Sequence, residues 1–343
     1  MTRYIDRLSD FRKDYYHILS KEFPEFLDDY INTKEMLRLE GVNQICGSYW
    51  RKKNIFNNKY SVLDHSIAVA LIIWNFTHDK IQTLAGLFHD ISSPAFKHCL
   101  DFMNGDAETQ ETLEDDTIDV IRNSKEIMSL LNRDGITLEE VVNYKIYPIA
   151  DNETPKLSAD RLEYTFMNGI YLKEVWNLDI IARIYNDIDV FKDEKGMLEL
   201  GFKTISIAEQ FVFGAKELWP IWIGSEDIVT IYFFGDMLKR LFQDNIIELN
   251  DLYKLSEQEI MRLFATSKNK KVAEDYTNLM TKAVFRDSDI FVLDKFCVSK
   301  KTKKRYINPL TKKGRLKDVS NKAKKYITEF LDNKVSSYAY LDI

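Results

Sequence analysis

Histidine and cysteine are scarce in this chain of 343 residues, with five of the first and three of the second. Cys46, Cys99 and Cys297 are far apart and odd in number. They argue against a disulfide framework or a cysteine-built zinc cluster and fit reduced thiols in a cytoplasmic protein. No apolar run reaches membrane-spanning length, so no membrane is expected as a partner. The opening residues, MTRYIDRLSDFRKDYYH, are charged throughout and lack the apolar stretch of a secretion signal. A formal net charge of -6 exerts no overall pull toward nucleic acid or an anionic lipid surface. No internal repeat or low-complexity linker divides the chain. What is present, 45% hydrophobic and 30% charged residues, suits a globular protein large enough to bury a proper core.

Against this background the stretch Ser61 to Asp101 stands out, because it holds His65, the pair His89-Asp90, and His98; the only others are His17 and His78. His65 and His89-Asp90 lie in apolar sequence of helical period, where an imidazole or carboxylate is costly to bury without a partner. A metal ion would partner all three groups. A fourth ligand is then wanted from elsewhere, and Asp160, in LSADRLEY, is the best candidate by the same criterion. Two imidazole nitrogens and two carboxylate oxygens suit one six-coordinate divalent transition metal, such as Mn, Fe, Co or Ni, better than tetrahedral Zn. His98 and Asp101 are spaced to share one helical face, where a carboxylate can orient an imidazole. Taken singly, each histidine also reads as a satisfied core or surface side chain.

The ordered set His65, His89-Asp90, Asp160 resembles the HD superfamily of metal-dependent phosphohydrolases. INTKEMLRLEGVNQICGSYW followed by SVLDHSIAVA looks like the entry to its deoxynucleoside triphosphate triphosphohydrolase branch. The resemblance covers about residues 28–225. It implies that Gln44 reads the sugar, and that Arg161 and Tyr164 contact phosphate and sugar. By residue type alone, Gln44 is equally a helix-terminal polar group, Arg161 a surface residue and Tyr164 a core residue. The chain also departs from the branch. Ser93 stands where relatives carry a histidine, Gln110-Glu111 replaces a His-Glu pair, and Val62 replaces an arginine. Glutamine cannot transfer a proton, so either His98, oriented by Asp101, or Glu111 is the candidate acid. Lys97 and Arg161 are candidates to offset phosphate charge.

The resemblance implies an all-α HD-domain helical bundle. To this the residues add a small β-hairpin around Lys195-Gly196, and a short β-rich, densely basic C-terminal appendage. The expected division is a helical body over residues 1–284, its HD core at about 60–170, and the appendage over 285–343. The basic run, from Lys300 to Lys317, reads first as solvated surface and second as an anion or nucleic-acid site. Only His98 lies between His89-Asp90 and Asp160, so one catalytic metal is expected, with Mg accompanying substrate phosphates as an option. The expected function is hydrolysis of a nucleotide, with a deoxynucleoside triphosphate as the first class to test and a homo-oligomer as the usual assembly of such relatives. A nucleoside monophosphate phosphatase and a catalytically weak nucleotide-binding regulatory module are the alternatives.

Overall fold

The computed structural model describes residues 3–52, 60–100, 116–301 and 303–343, together with the helical backbone of 101–103. Gln110 and Glu111, and the side chain of Asp101, lie outside the described residues. The N-terminal third contains α1 (Asp10–Leu19), α2 (Glu25–Ile31), α3 (Lys34–Leu37), α4 (Val62–Thr77), α5 (Lys80–Phe88) and α6 (Lys97–Met103). Next come α7 (Thr117–Asn123), α8 (Lys125–Asp134), α9 (Leu138–Val141), α10 (Ala159–Tyr171) and α11 (Leu178–Tyr185). The hairpin strands β1 (Ile188–Lys192) and β2 (Leu198–Phe202) precede α12 (Ile205–Ala215), α13 (Trp219–Trp222), α14 (Ser225–Gln243), α15 (Glu257–Ala265) and α16 (Lys270–Thr281). The chain closes with β3 (Val284–Ser288), β4 (Phe296–Ser299), β5 (Leu310–Thr311), β6 (Gly314–Arg315), α17 (Leu316–Val319), α18 (Asn321–Asp332) and β7 (Tyr338–Asp342).

Helix α4 is the axis of the main core. Ser61 and Asp64 form a capping box at its start, and every residue from Val62 to Ile73 is buried. A helix apolar on all sides must be surrounded, and α1, α5 and α10 pack against it. It ends at His78, which adopts a left-handed φ of 50°. Asp79 then caps α5 by accepting from the amides of Ile81 and Gln82. Helix α5 comes close enough that a Cβ on Gly86 would lie 2.2 Å from Ile73 Cδ1. That approach brings the C-terminal end of α5, and His89 with it, beside α4.

A second core gathers around Trp50, Phe96, Phe234 and Phe264. The segment from His89 to Lys97 crosses from the first core to the second, because Ile91 belongs to one and Phe96 to the other.

The chain is mostly helical, but it carries two small sheets and is not strictly all-α. In one, strands run in the order β1-β2-β5-β6, with β5 parallel to β2; in the other, the order is β3-β7-β4, all antiparallel. Strands from both sides of residue 285 therefore share a sheet, and α17 and α18 pack on α12. Part of the basic run is absorbed internally. Lys300 pairs with Asp287 at 2.6 Å, Lys304 donates to the Leu331 carbonyl at 2.6 Å, and Arg315 forks onto Glu194 and Glu199. Lys301, Lys303, Lys312 and Lys313 stay exposed. Among the described residues no helix is long and apolar enough to cross a membrane.

Candidate metal centre

Three helices bring three ligand atoms together. His65 comes from the first turn of α4, His89 caps the end of α5, and Asp160 is the second residue of α10 behind its Ser158 cap. One ligand atom from each lies within 4.8 Å of the others. His65 Nε2 is 3.1 Å from His89 Nε2 and 3.1 Å from Asp160 Oδ1. Two imidazole nitrogens and a carboxylate oxygen aimed at one buried point form a donor set that fits a divalent cation.

Each histidine is held from behind. His89 Nδ1 is 2.7 Å from the Gly86 carbonyl, which can only accept, so Nδ1 carries the proton and Nε2 faces the cluster. His65 Nδ1 bonds to the Glu163 carboxylate, whose other oxygen accepts from the hydroxyls of Tyr60 and Tyr15. Glu163 is fully buried, one turn after Asp160 on α10. Carboxylate backing of this kind fixes the tautomer and raises the basicity of a ligating nitrogen. Burial lowers the His65 pKa, but Glu163 and Asp160 outweigh it and hold it up at about 10.

Asp90 stands at the edge of the cluster, its Oδ2 3.7 Å from His89 Nε2 and 2.8 Å from Lys97 Nζ. Burial alone would raise its carboxyl; Lys97, His89 and His65 prevail and hold it well below the usual range. Burial lowers the Lys97 pKa, and Asp90 more than restores it. Lys97 Nζ also lies 3.4 Å from Gln44 Oε1, so Gln44, Lys97 and Asp90 form one polar chain beside the cluster. His98 follows Lys97 on α6 and is half-buried. Tyr164, half-buried on α10, meets the ring of Trp222 edge-on at 5.8 Å. Burial raises its pKa, and Arg161 and Arg305 are among the charges that act on it.

Arg161 is used elsewhere. Its guanidinium donates to Asn152 Oδ1 at 2.8 Å, to the Asn152 carbonyl at 2.8 Å and to the Lys156 carbonyl at 2.7 Å, tying the 151–158 loop to α10. Arg38 does the same for the turn after His89-Asp90, donating to the carbonyls of Ile91 and Ser93 at 2.5 and 2.8 Å. Burial lowers the Arg38 pKa to about 10.

Glu163 is the residue that sequence reasoning missed. Its signal was an acid one turn after Asp160 in an otherwise apolar helical face. Arg12 carried no such signal, yet it pairs with Asp64 at 3.0 Å and fastens α1 to the first turn of α4.

The architecture is shared with helical proteins of known structure. A phosphohydrolase from Bacteroides thetaiotaomicron superposes with a TM-score of 0.63 at 15% identity, covering 93% of this chain and 96% of that one. A hypothetical protein from Aquifex aeolicus gives 0.63 at 17% identity, covering 93% and 92%. These are likenesses of fold. In sequence, the uncharacterized protein YdhJ of Bacillus subtilis (strain 168) is 26% identical over 287 residues, 82% of this chain and 83% of its own length. No family model matches the chain.

Proposed function

We propose that this chain is an HD-type, metal-dependent phosphohydrolase acting on a nucleotide. The observation that carries the reading is the convergence of His65 Nε2, His89 Nε2 and Asp160 Oδ1, with both histidine Nδ1 atoms committed to acceptors behind them. The fold likeness to a phosphohydrolase supports it. His65, His89 and Asp160 would hold the ion, with Asp90, paired to Lys97, at their edge. A divalent ion there would supply an acidified water and an electrophile for a phosphate oxygen.

The chain's own groups divide the remaining work. Lys97, already beside Asp90, can turn its ammonium to an incoming phosphate and offset its charge. Gln44, whose Oε1 lies 3.4 Å from the same ammonium, takes the sugar hydroxyl in this reading. Tyr164, on the helix of Asp160, lines the adjacent side. His98 is the candidate donor of a proton to the leaving oxygen, with Asp101 as its orienting carboxylate and Glu111 as the other candidate acid.

A deoxynucleoside triphosphate is the class that the resemblance puts first. A specific observation favours a nucleoside monophosphate instead. Arg38 and Arg161 both spend their guanidinium groups on the chain's own carbonyls, so neither is poised to grip a polyphosphate. Incubating metal-loaded protein with a panel of nucleotides, and resolving products as phosphate, pyrophosphate or triphosphate, tests both readings. Triphosphate release selects the first and inorganic phosphate from monophosphates the second. Inertness on the whole panel overturns the enzyme reading in favour of a regulatory nucleotide-binding module.

A further inference from the structure

Glu257, the first residue of α15, is fully buried, and among the described residues its carboxylate accepts from three neutral donors. A carboxylate is costly to bury without a cation, and burial does push this one up to about 7. Its partners explain the placement. Oε2 accepts from Asn43 Nδ2 at 2.5 Å and from Trp50 Nε1 at 3.1 Å, while Oε1 accepts the Phe96 amide at 3.1 Å. Asn43 immediately precedes Gln44, and Phe96 immediately precedes Lys97. Those are the two residues that meet beside Asp90.

The Phe96 contact is the more telling. Phe96 holds a left-handed φ of 58°, a conformation that a bulky residue adopts only when its surroundings impose it. Two successive amides are captured there, that of Ala95 by the Leu252 carbonyl at 2.8 Å and that of Phe96 by Glu257. The chain therefore turns sharply one residue before Lys97, and the turn directs Lys97 back onto Asp90. On the other side, Asn43 bridges to Ser61, and the Gln44 amide donates to the Tyr60 carbonyl at 2.8 Å, which joins residues 43–44 to the start of α4 and His65. Gly41 lets the capped start of α15 come this close, since a Cβ there would lie 3.0 Å from Ser256 Cβ.

We infer that Glu257 is a positioning residue for the proposed site, a carboxylate clamp that sets Lys97 and Gln44 against Asp90 through Phe96 and Asn43. The inference rests on the phosphohydrolase reading for its purpose, but not for its test. The substitution is Glu257→Gln, which keeps the shape and turns an amide N–H toward groups that are themselves donors. The readout is pulse acetylation of lysines, mapped by peptide mass spectrometry, on folded protein with measured metal content. Lys97 is expected to react about tenfold faster in the variant, the scale of losing one hydrogen bond to a charged group. Lys300, a buried lysine paired with Asp287, is expected to keep its wild-type rate. Unchanged labelling of Lys97, or a parallel rise at Lys300, overturns the clamp, the latter because it signals general loosening. If Glu257→Gln does not fold, Trp50→Phe removes one donor and keeps the ring contacts to Phe96 and Phe234, and unchanged Lys97 labelling in that protein overturns it equally. In an active enzyme, Glu257→Gln is further expected to lower kcat/KM with metal content intact. A wild type inert on every nucleotide would remove the phosphohydrolase reading and leave the labelling result to decide the clamp.

Discussion

His65 and Glu163 meet through Nδ1 and Oε2 in the interior, both fully buried, and this contact determines which nitrogen of His65 faces the cluster. Two tyrosine hydroxyls, from Tyr15 and Tyr60, converge on the other oxygen of the same carboxylate. One buried acid thus links α1, the residue before the Ser61 cap, α4 and α10.

Glu163→Gln should weaken metal binding without removing a ligand. The amide can still accept from His65 Nδ1, but it gives up the charge that raises the basicity of Nε2. Loss of such a backing carboxylate typically costs about 10- to 100-fold in metal affinity. Competition with a chelator of known affinity measures it. Wild-type affinity in a folded Glu163→Gln protein would remove Glu163 from the metal centre.

Metal should also be a determinant of stability, because His65, His89 and Asp160 belong to three separate helices. Free ion at 100 times its dissociation constant adds about 2.7 kcal/mol by mass action. Wild type is expected to melt lower after chelation and to recover on reloading. His89→Ala and Asp160→Ala should lose both the bound ion and the increment. Elemental analysis beside the melting curves checks this, and full metal content in both variants contradicts the site.

Much of this arrangement was legible in sequence. The apolar run of helical period that follows His65, and the same setting of His89-Asp90 and of Asp160, are local signals. So is the hairpin over β1 and β2. What could not be read depends on distant segments meeting. The donors of Arg38 and Arg161 end on carbonyls whose directions are set by loop conformation, not by residue type. The parallel pairing of β2 with β5 joins Gly201 to Leu310, across a separation that no local pattern encodes. Glu257 is a first-turn acid of α15, and its role depends on Asn43, Trp50 and Phe96 meeting around it from distant segments.

Acidity should affect stability through Glu257. Burial raises its pKa from 4.5 to about 7, outweighing the Asn43, Phe96 and Trp50 hydrogen bonds. Between these values the folded chain keeps a proton that the unfolded chain has released. Stability contributed by this group therefore falls as pH rises from 4.5 toward 7, then levels off. At about 1.36 kcal/mol per pKa unit the total is roughly 3 kcal/mol. Asp227, raised by burial to about 6, changes stability in the same direction. Denaturant midpoints of wild type and Glu257→Gln, compared at pH 5 and pH 8, should show wild type losing ground at the higher pH. A pH-independent difference would mean that Glu257 titrates normally.

The last expectation concerns the proton. Ser93 and Gln110 stand where the resembling enzymes carry imidazoles, which leaves His98, half-buried on α6 next to Lys97, as the candidate histidine. It follows Lys97 in α6, the helix whose first residue pairs with Asp90. Loss of a general acid costs between about 100-fold and 10,000-fold in rate. His98→Ala should therefore lower turnover by that order and keep its metal, while Asp101→Asn, which leaves the ring in place, should lower it less. Glu111→Gln provides the contrast, because Glu111 is the other candidate acid and no imidazole precedes it. Full turnover in His98→Ala with a large loss in Glu111→Gln would move the proton to Glu111. A substrate with a good leaving group, needing little protonation, should rescue whichever variant has lost the acid, since only protonation of the leaving oxygen is relieved by that change.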